Sequence, residues 1–352
     1  MTIERLRTQS NDGRLEVPVA TAWLIGDLGE ALGRQELFAR QAPQRLKALR
    51  EHAMIESAIS SNRIEGVEIA PGRRGAVLVG RARLTDRDEA EVRGYRDALR
   101  LIHDGAARLD VSEQTIRKLH GLTRARVGDA GTYRDRDLDI IEKFPDGRSR
   151  VRFKAVPARA LAGSMSRLTR EWTDLELAQQ VPPAIAAAAF NLDFLCIHPF
   201  RDGNGRVSRL LLLLQAYRWG CEVGRYMSLE RIIEENKERY SETLEISSRG
   251  WHEDAHDPWP YVNFLLFVLK TAFAEFERRV GATAEPRGMK TSTVLDAVAR
   301  LPLEFRVDDL RRLCPAVSLD MIRRVLKDEQ KRGALECLGR GPLARWRTLS
   351  RG

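Results

Sequence analysis

The stretch HPFRDGNGRVSR, from His198 to Arg209, decides how the centre of this chain is organised. It lies between an alanine-rich apolar segment and the leucine run RLLLLLQAYRWG. It holds one imidazole, one carboxylate, two glycines and three arginines. Such a density of charge between two apolar segments indicates a binding or catalytic loop between two helices.

The backbone of this stretch favours a loop that a ligand can approach closely. Pro199 disfavours the helical conformation at His198, so the preceding helix should end there and leave the ring at the loop edge. Gly203 and Gly205 carry no Cβ and permit close contact with the backbone. A new helix should begin near Asn204 or Gly205, with unpaired N–H groups and a positive dipole end.

The charges of the stretch predict a polyphosphate ligand. Arg206 lies in the first turn of the new helix, where a cation is unfavourable unless an anion binds, and Arg209 follows on the same face. Asp202 suits a Mg²⁺ ion held by one carboxylate and phosphate oxygens. His198 can accept a proton from a hydroxyl. Taken singly, each residue also suits an ordinary turn, but the joint pattern favours nucleotide-dependent group transfer.

The whole stretch resembles the signature of the Fic family, HPFx(D/E)GNGRxxR, and every specified position matches. The usual activity of that family is transfer of AMP from ATP to a Ser, Thr or Tyr hydroxyl of a protein. The resemblance therefore implies an adenylyltransferase that uses ATP and Mg²⁺. Its partner would be a target protein with an acceptor hydroxyl, and the sequence leaves open whether that target is the chain itself.

The resemblance also implies a role for each residue of the motif. His198 would deprotonate the target hydroxyl, Asp202 would hold the metal, and Phe200 would anchor the loop in the core. The nucleotide-binding residues would be Asp202, Gly203, Asn204, Gly205 and Arg206 around the α and β phosphates, with Arg209 at the γ phosphate.

Further segments resemble parts of the same family outside the motif. GTYR at 131–134 and the hairpin around 144–153 are similar to its entry strand and its flap, which aligns a target segment by strand addition. NKERYSETL is similar to the segment around the adenine pocket, so Asn236 and Tyr240 are expected to contact the nucleotide. Ser241 stands where relatives often carry a second tyrosine, which leaves the base selectivity open.

The segment SNRIEG resembles the inhibitory motif (S/T)xxxE(G/N) of the family. Ser61 and Glu65 are four residues apart on one helical face, and Gly66 is expected to cap the helix. The resemblance implies a bidentate pair between Glu65 and Arg209 that keeps the γ phosphate from its seat. Two alternatives stay open: a capped helix with a solvated glutamate, or a Glu65 that positions a water for removal of AMP.

The rest of the chain predicts a mainly α protein: a Fic-type helical bundle with a small β-hairpin flap, plus a C-terminal winged-helix domain. Apolar residues recur three and four apart in seven segments. These predicted helices span residues 43–63, 89–109, 112–127, 158–177, 182–197, 205–219 and 259–279. The expected domains are an N-terminal helical region at 1–110 with an inhibitory helix at about 44–66, a catalytic core at 111–280, a linker at 281–292 and a winged helix at 293–352.

The C-terminal segment offers a second function. Three helices followed by a strand, a GRG turn and a strand predict a winged helix, whose recognition helix would run from Ser318 to Arg332. Its cations would meet DNA phosphates, in which case the Fic core would only sense nucleotide. These cations are Arg323, Arg324 and Lys327 on the helix and Arg340 and Arg345 on the wing. Acidic residues interrupt this face, and such modules also dock proteins, so both uses stay open.

Composition sets the broad class. The chain has 352 residues, 43% apolar and 31% charged, with a formal net charge of +9, as expected of a globular protein of two or three domains. Residues 285–352 contain 15 Lys and Arg and 9 Asp and Glu, a net charge of +6. No apolar run approaches the length of a membrane span and no signal peptide is evident, so we expect a cytoplasmic protein. The sequence leaves open whether it forms a homodimer.

Two other patterns receive weaker interpretations. The four cysteines are isolated in sequence, so we expect reduced packing residues. HEDAH, from His252 to His256, fits the HExxH string of zinc peptidases, but Gly250, Asp257 and Pro258 predict a loop, where the two rings would not share a helical face.

Overall fold

The computed structural model describes residues 1–41, 43–79, 83–125, 128–143, 147–281, 289–301, 303–314, 317–339 and 344–349. The chain divides into two compact units, Met1–Arg278 and Arg279–Gly352. Most of the predicted linker at 281–292, namely residues 282–288, lies outside the described residues.

The first unit is built from helices and one small hairpin, in agreement with the predicted fold class. Its elements are α1 (Thr2–Asn11), α2 (Val19–Gln41), α3 (Pro43–Ile64), α4 (Pro71–Val79), α5 (Arg87–Gly105), α6 (Glu113–Thr123), β1 (Asp139–Lys143), β2 (Ser149–Lys154), α7 (Leu161–Ala178), α8 (Pro183–Ile197), α9 (Asn204–Arg218), α10 (Leu229–Glu235), α11 (Lys237–Ser248) and α12 (Trp259–Gly281).

Helix periodicity found seven of the helices of the first unit and missed others, among them the 23-residue α2. All seven predicted helices between residues 43 and 279 are present, with ends displaced by a few residues. Helices α1, α2, α4, α10 and α11 were not predicted. Helix α2 contains Gly26, Gly29 and Gly33, and α4 begins Pro71-Gly72, so these segments have the composition of turns although they are helical.

Helices α8 and α9 pack against each other and form the centre of the unit. In α8 every residue from Ala184 to Ile197 is buried, and in α9 almost every residue is. A helix that is apolar all round has to be enclosed on all sides by other elements. The loop between them, residues 198–203, is therefore held at both ends by the best-packed part of the unit.

Strands β1 and β2 form the predicted hairpin. They pair antiparallel, with Ile140 opposite Phe153 and Glu142 opposite Arg150, and the register shifts at Ile140/Ile141. Residues 144–146 of the predicted flap lie outside the described residues. Ile141 and Val151 face each other across the strands with about half of each side chain exposed. This exposed apolar pair makes the hairpin suitable for contact with another chain.

The second unit contains three helices and a three-stranded sheet. Its elements are α13 (Met289–Arg300), β3 (Glu304–Arg306), α14 (Val307–Leu313), α15 (Leu319–Lys331), β4 (Leu335–Leu338) and β5 (Arg345–Thr348). The sheet order is β3-β5-β4, all antiparallel. Its core includes Phe305, Leu326 and Trp346. The order of helices and the final hairpin agree with the sequence, whereas β3, three residues long and paired only with β5, was not predicted.

Two findings concern the composition-based expectations. Within the described residues, no helix combines the length and the hydropathy that crossing a membrane requires. All four cysteines are free thiols, and Cys196, Cys221 and Cys314 are buried.

Candidate active site

The loop begins with a backbone turn at His198. Helix α8 ends there, as Pro199 predicts, but His198 takes the left-handed conformation (φ 51°, ψ 61°) rather than an extended one. Its N–H still donates to the Phe194 carbonyl at 3.0 Å, which caps the helix. A left-handed residue other than glycine is strained and needs support from its surroundings.

Arg134, the last residue of GTYR, supplies that support. Its Nε donates to the His198 carbonyl at 2.9 Å, and its backbone N–H donates to the Pro199 carbonyl at 2.9 Å. Its guanidinium also donates to the carbonyls of Ile197 and Val156. The buried guanidinium of Arg134 therefore hydrogen-bonds the carbonyls at the end of α8 and fixes the direction in which the loop leaves the helix.

The His198 ring is held as a neutral base. Its Nδ1 lies 3.2 Å from the Leu195 carbonyl, which can only accept, so Nδ1 carries the hydrogen and Nε2 keeps its lone pair. Burial lowers the pKa of His198 to about 4. At neutral pH the ring is therefore uncharged and Nε2 can accept a proton.

Phe200 and Asn204 brace the loop from inside. Phe200 N–H donates to Asn204 Oδ1 at 3.0 Å, and Asn204 Nδ2 donates back to the Phe200 carbonyl at 2.7 Å. Both side chains are buried, as expected for Phe200. Both polar atoms of the Asn204 side chain are therefore engaged in holding the loop.

His120 on α6 is a loop-supporting residue that the sequence did not reveal. Its ring stacks on Phe200 with the centroids 3.7 Å apart. Gly131 N–H donates to His120 Nδ1 at 2.8 Å, so His120 Nε2 carries the hydrogen and donates to the Asp202 carbonyl at 3.0 Å. Burial lowers the pKa of His120 to about 4, which agrees with this neutral tautomer.

The two motif glycines provide conformation and space. Gly203 has a φ of 85°, in the left-handed region that favours glycine, immediately before α9. A Cβ at Gly205 would overlap the Glu65 carboxylate and crowd the Arg209 guanidinium. Gly205 therefore leaves room at the beginning of α9 for a carboxylate, which lies where the sequence predicted an anion.

Arg206 and Asp202 belong to a cluster of ion pairs. Arg206 is almost fully buried and donates from Nη1 to Glu91 Oε2 at 2.5 Å and to Asn62 Oδ1 at 3.3 Å. Asp202 is about half exposed, and its Oδ2 accepts from Arg124 at 2.7 Å. Neither Glu91 nor Arg124 could be identified from the sequence, because each lies in a different helical segment with no distinctive spacing.

Asp202, the residue to which the sequence assigned a metal, has one carboxylate oxygen, Oδ1, whose nearest arginine contact is longer than those of Oδ2. Burial alone would raise the pKa of its carboxyl group, but Arg206 and Arg124 hold that pKa below its ordinary value, so the group is ionised. Oδ1 is 3.6 Å from Arg206 Nη2, whereas Oδ2 takes the short contact from Arg124. Within the described residues no group of three His, Cys, Asp or Glu side chains converges, so a metal here would need phosphate oxygens as further ligands.

Arg209 is held by the predicted inhibitory segment. Its Nε donates to Ser61 Oγ at 2.9 Å, and its Nη2 donates to the Ser61 carbonyl at 2.9 Å and to Glu65 Oε1 at 2.8 Å. The ion pair uses one glutamate oxygen, so the bidentate pair implied by the resemblance is not present. Nη1 of Arg209 is buried and without a hydrogen-bond partner among the described residues.

The segment SNRIEG, predicted to be inhibitory, ends its helix as expected. Helix α3 ends at Ile64, and Gly66, with a φ of 79°, donates its N–H to the Arg63 carbonyl. Val67 N–H returns to the Asn62 carbonyl at 3.0 Å, which completes the cap. The cap thus fixes the backbone at Glu65, and the Glu65 side chain points toward Arg209.

The two expected base-contacting residues differ in their environment. Tyr240 is buried against Tyr261 and Phe264 and lies close enough to Arg209 to influence its pKa. Asn236 joins α10 to α11, and its side chain donates to the Ile232 carbonyl at 2.8 Å. Tyr240 therefore belongs to a buried aromatic cluster, and contact of either residue with a nucleotide stays a prediction.

The HEDAH segment forms turns, as its surroundings predict. His252 Nε2 hydrogen-bonds the Lys154 carbonyl at 2.7 Å, whereas His256 Nε2 bonds Thr2 Oγ1 at 2.7 Å. The two rings thus contact different parts of the first unit.

Comparison with known proteins finds a match to one family over part of the chain. Residues 110–216 match the Fic/DOC family model. The protein adenylyltransferase fic-1 of Caenorhabditis elegans is 27% identical over 239 residues, 65% of this chain and 41% of that protein. Its Caenorhabditis briggsae counterpart is 25% identical over 233 residues, with the same coverage. The chain therefore spans about two fifths of the length of these relatives.

Solved structures agree with the fold. A Fic family protein from Desulfovibrio desulfuricans G20 is 24% identical and aligns over 96% of this chain and 98% of its own, with a TM-score of 0.62. A Fic-1 fragment from C. elegans is 22% identical and aligns over 76% of this chain and 74% of its own, with a TM-score of 0.59. At these identities the structures establish similarity of fold.

The neutral His120 generates a pH prediction. Because its folded pKa of about 4 is below the ordinary value of 6.5, its contribution to stability is present above pH 6.5 and lost as pH falls toward 4. This contribution is roughly 3 kcal/mol. The free energy of unfolding can be measured in urea at pH 7 and at pH 4. The fall in this free energy between the two pH values should be smaller in His120→Gln than in the parent by about this amount. His52→Gln, which removes an exposed ring, serves as the control, and equal pH dependence in His120→Gln and the parent would contradict the neutral assignment.

Proposed function

We propose that this chain, which carries a Fic/DOC family domain, is a protein adenylyltransferase that moves AMP from ATP to a Ser, Thr or Tyr hydroxyl of a protein. The observation that supports it most directly is a neutral His198, its Nε2 lone pair free, at the end of α8 opposite the arginine-lined beginning of α9. The relatives named protein adenylyltransferase support the same reaction.

The proposed reaction follows from the atoms of the loop. The target hydroxyl gives its proton to His198 Nε2 while its oxygen forms a bond to the α phosphorus of ATP. The bond from that phosphorus to the α–β bridging oxygen breaks, and pyrophosphate leaves. The first N–H groups of α9, at Asn204, Gly205 and Arg206, have no acceptor in the preceding turn and are available to phosphate oxygens.

The cations of the loop stabilise the phosphates in this proposal. Arg206 contacts the α and β phosphates, and Arg209 contacts the γ phosphate when Glu65 releases it. A Mg²⁺ ion on Asp202 Oδ1 would supply positive charge to the phosphates when bound. Strand addition to the β1–β2 hairpin would present the target hydroxyl to His198.

Glu65 acts as a brake in this proposal. Its carboxylate occupies the space that Gly205 leaves at the beginning of α9 and pairs with Arg209. A γ phosphate and Glu65 are both anionic and would compete for one guanidinium. Ser61 makes two of the three hydrogen bonds to Arg209, so it aligns the arginine for either partner.

The domains of the chain have separate roles in the proposal. Residues 1–110 carry the inhibitory helix, residues 111–280 carry catalysis, and residues 293–352 form a winged helix joined by the linker at 281–292. Self-association as a homodimer stays a prediction.

The mass of the protein after incubation with ATP and Mg²⁺ tests the reaction and the brake together. Glu65→Gly should increase AMP incorporation, into the chain itself or into lysate proteins, at least tenfold, or about 1.4 kcal/mol of transition-state stabilisation. The His198→Ala change in the same background should abolish it, because no other group takes the proton. Intact-mass and peptide mass spectrometry measure a gain of one AMP and its site.

Glu68→Gly is the matched control, since Glu68 is exposed and three residues beyond Glu65. It should incorporate AMP at the parental rate. Equal incorporation by Glu65→Gly and the parent would contradict the brake, and incorporation that persists in His198→Ala would contradict the mechanism. Loss of AMP from a purified modified target with the parent, but not with a Glu65 variant, would assign AMP removal to the same site.

One observation favours a second function, duplex DNA binding by the C-terminal unit. Helix α15 buries Ile322, Val325 and Leu326 and exposes Arg323, Arg324 and Lys327 on its opposite side. Arg311 and Arg312 are exposed at the end of α14. Arg345 on β5 is half-exposed beside Glu304, and Arg340 lies outside the described residues.

Fluorescence anisotropy with a labelled duplex tests this second function. Binding should weaken steeply between 50 and 200 mM salt, because each neutralised phosphate releases a counterion. Arg324→Ala/Lys327→Ala should weaken binding and reduce the salt slope by about two. Arg167→Ala, which removes an exposed arginine of the first unit, is the control. Lack of any binding at low salt would exclude a role in DNA contact.

A further inference from the structure

Glu91 stands out among the residues that no motif accounts for. It lies on α5 and is almost fully buried. Its two oxygens accept from three arginines: Arg87 Nε at 2.7 Å, Arg124 Nη1 at 2.7 Å and Arg206 Nη1 at 2.5 Å. These arginines come from α5, from the end of α6 and from α9, so one carboxylate joins three separate segments.

The same three arginines also contact Asp202. The distances are 3.2 Å from Arg87, 2.7 Å from Arg124 and 3.6 Å from Arg206. Glu91 and Asp202 therefore share one set of cations, Glu91 on the buried side and Asp202 on the exposed side. Asp129 also lies 3.7 Å from Arg124 Nε, so three positive and three negative charges make the cluster neutral.

The burial of Arg206 requires this counter-charge. An unpaired buried guanidinium is costly, and removal of one partner from a buried ion pair is strongly destabilising. Burial alone would raise the pKa of Glu91, but Arg206 holds that pKa below its ordinary value, so the carboxylate is ionised. Asn62, the other acceptor for Arg206, is neutral and its contact is longer.

The contact with Glu91 also orients Arg206. Nη1 is fixed by Glu91 and Asn62 on the buried side, while Nε has no hydrogen-bond partner among the described residues. Nε is itself buried, so the guanidinium has an unused donor in the interior, and Nη2 has a 3.6 Å contact with Asp202. A phosphate would have to reach these two atoms, while Nη1 stays fixed by Glu91 and Asn62.

We propose that Glu91 is a positioning residue of the phosphate site: it fixes the direction of Arg206 and reduces the positive charge that a polyphosphate meets. The inference rests on the proposed function. Its two effects have opposite consequences when the charge is removed. A less neutralised cluster attracts a phosphate more strongly, whereas a less oriented Arg206 stabilises the transition state less well.

The test uses Glu91→Gln, which keeps the size of the side chain and removes its charge. Removal of one negative charge raises the net charge of the cluster from 0 to +1. Calorimetric titration of the full-length chain with ADP at constant MgCl₂ should therefore give a Kd at least threefold lower than the parent's. In the Glu65→Gly background, AMP incorporation should fall at least tenfold in kcat without an increase in KM for ATP.

Glu171→Gln is the matched control. Glu171 is equally buried and pairs with an arginine, Arg7, at 2.6 Å, on α7 away from the loop. It should lose stability as Glu91→Gln does but keep the parental Kd for ADP. An unchanged or higher Kd in Glu91→Gln would overturn the proposal, as would unaltered kcat. Failure of the parent itself to bind ADP would instead contradict the proposed function.

A second variant covers the case in which Glu91→Gln does not fold. Glu91→Asp keeps the charge but is shorter by one methylene, so the contact with Arg206 lengthens. It should bind ADP within twofold of the parent and still lose AMP incorporation. Parental incorporation in Glu91→Asp would show that orientation by Glu91 is not required and would overturn the proposal.

Discussion

The central constraint on this molecule is the burial of two guanidinium groups, those of Arg206 and Arg209, beside an apolar core. A charge can be buried only when it is paired and hydrogen-bonded. Glu91 pairs with Arg206, and Glu65 with Arg209. Glu91 lies on α5 and Glu65 directly follows α3, and both helices pack against α9. The need to neutralise the two guanidinium groups therefore constrains how these helices are arranged around the loop.

The two pairs differ in burial and in the number of their contacts, which bears on the proposed brake. Glu91 is buried and contacts three arginines, whereas Glu65 has about a third of its side chain exposed and contacts Arg209 through one oxygen. Exposure and a single hydrogen bond make the Glu65 contact the weaker of the two. A phosphate that competes for Arg209 therefore meets a replaceable partner, while Arg206 stays fixed.

The loop itself is held by residues from distant parts of the chain. Arg134 fixes the left-handed His198, and His120 stacks on Phe200 and donates to Asp202. These contacts use up hydrogen-bonding groups that would otherwise be unsatisfied and leave His198 Nε2 free.

The sequence predicted the parts of this site that are local in the chain. The motif at 198–209, the end of α8 at His198 and the cap at Gly66 follow from residues within a few positions of one another. His120, Glu91 and Arg124 could not be found, because their roles depend on which helices meet in space. For the same reason β3 was not predicted, because it forms through pairing with β5. The single-oxygen contact between Glu65 and Arg209 was not predicted either, because it depends on where α3 ends relative to α9.

The most direct test of the account is a calorimetric titration of the Glu65→Gly chain with ATP in the presence of Mg²⁺. Without the competing carboxylate, Arg206 and Arg209 should bind the triphosphate at one site per chain. Absence of binding at millimolar ATP would contradict the assignment of residues 198–209 as a nucleotide site.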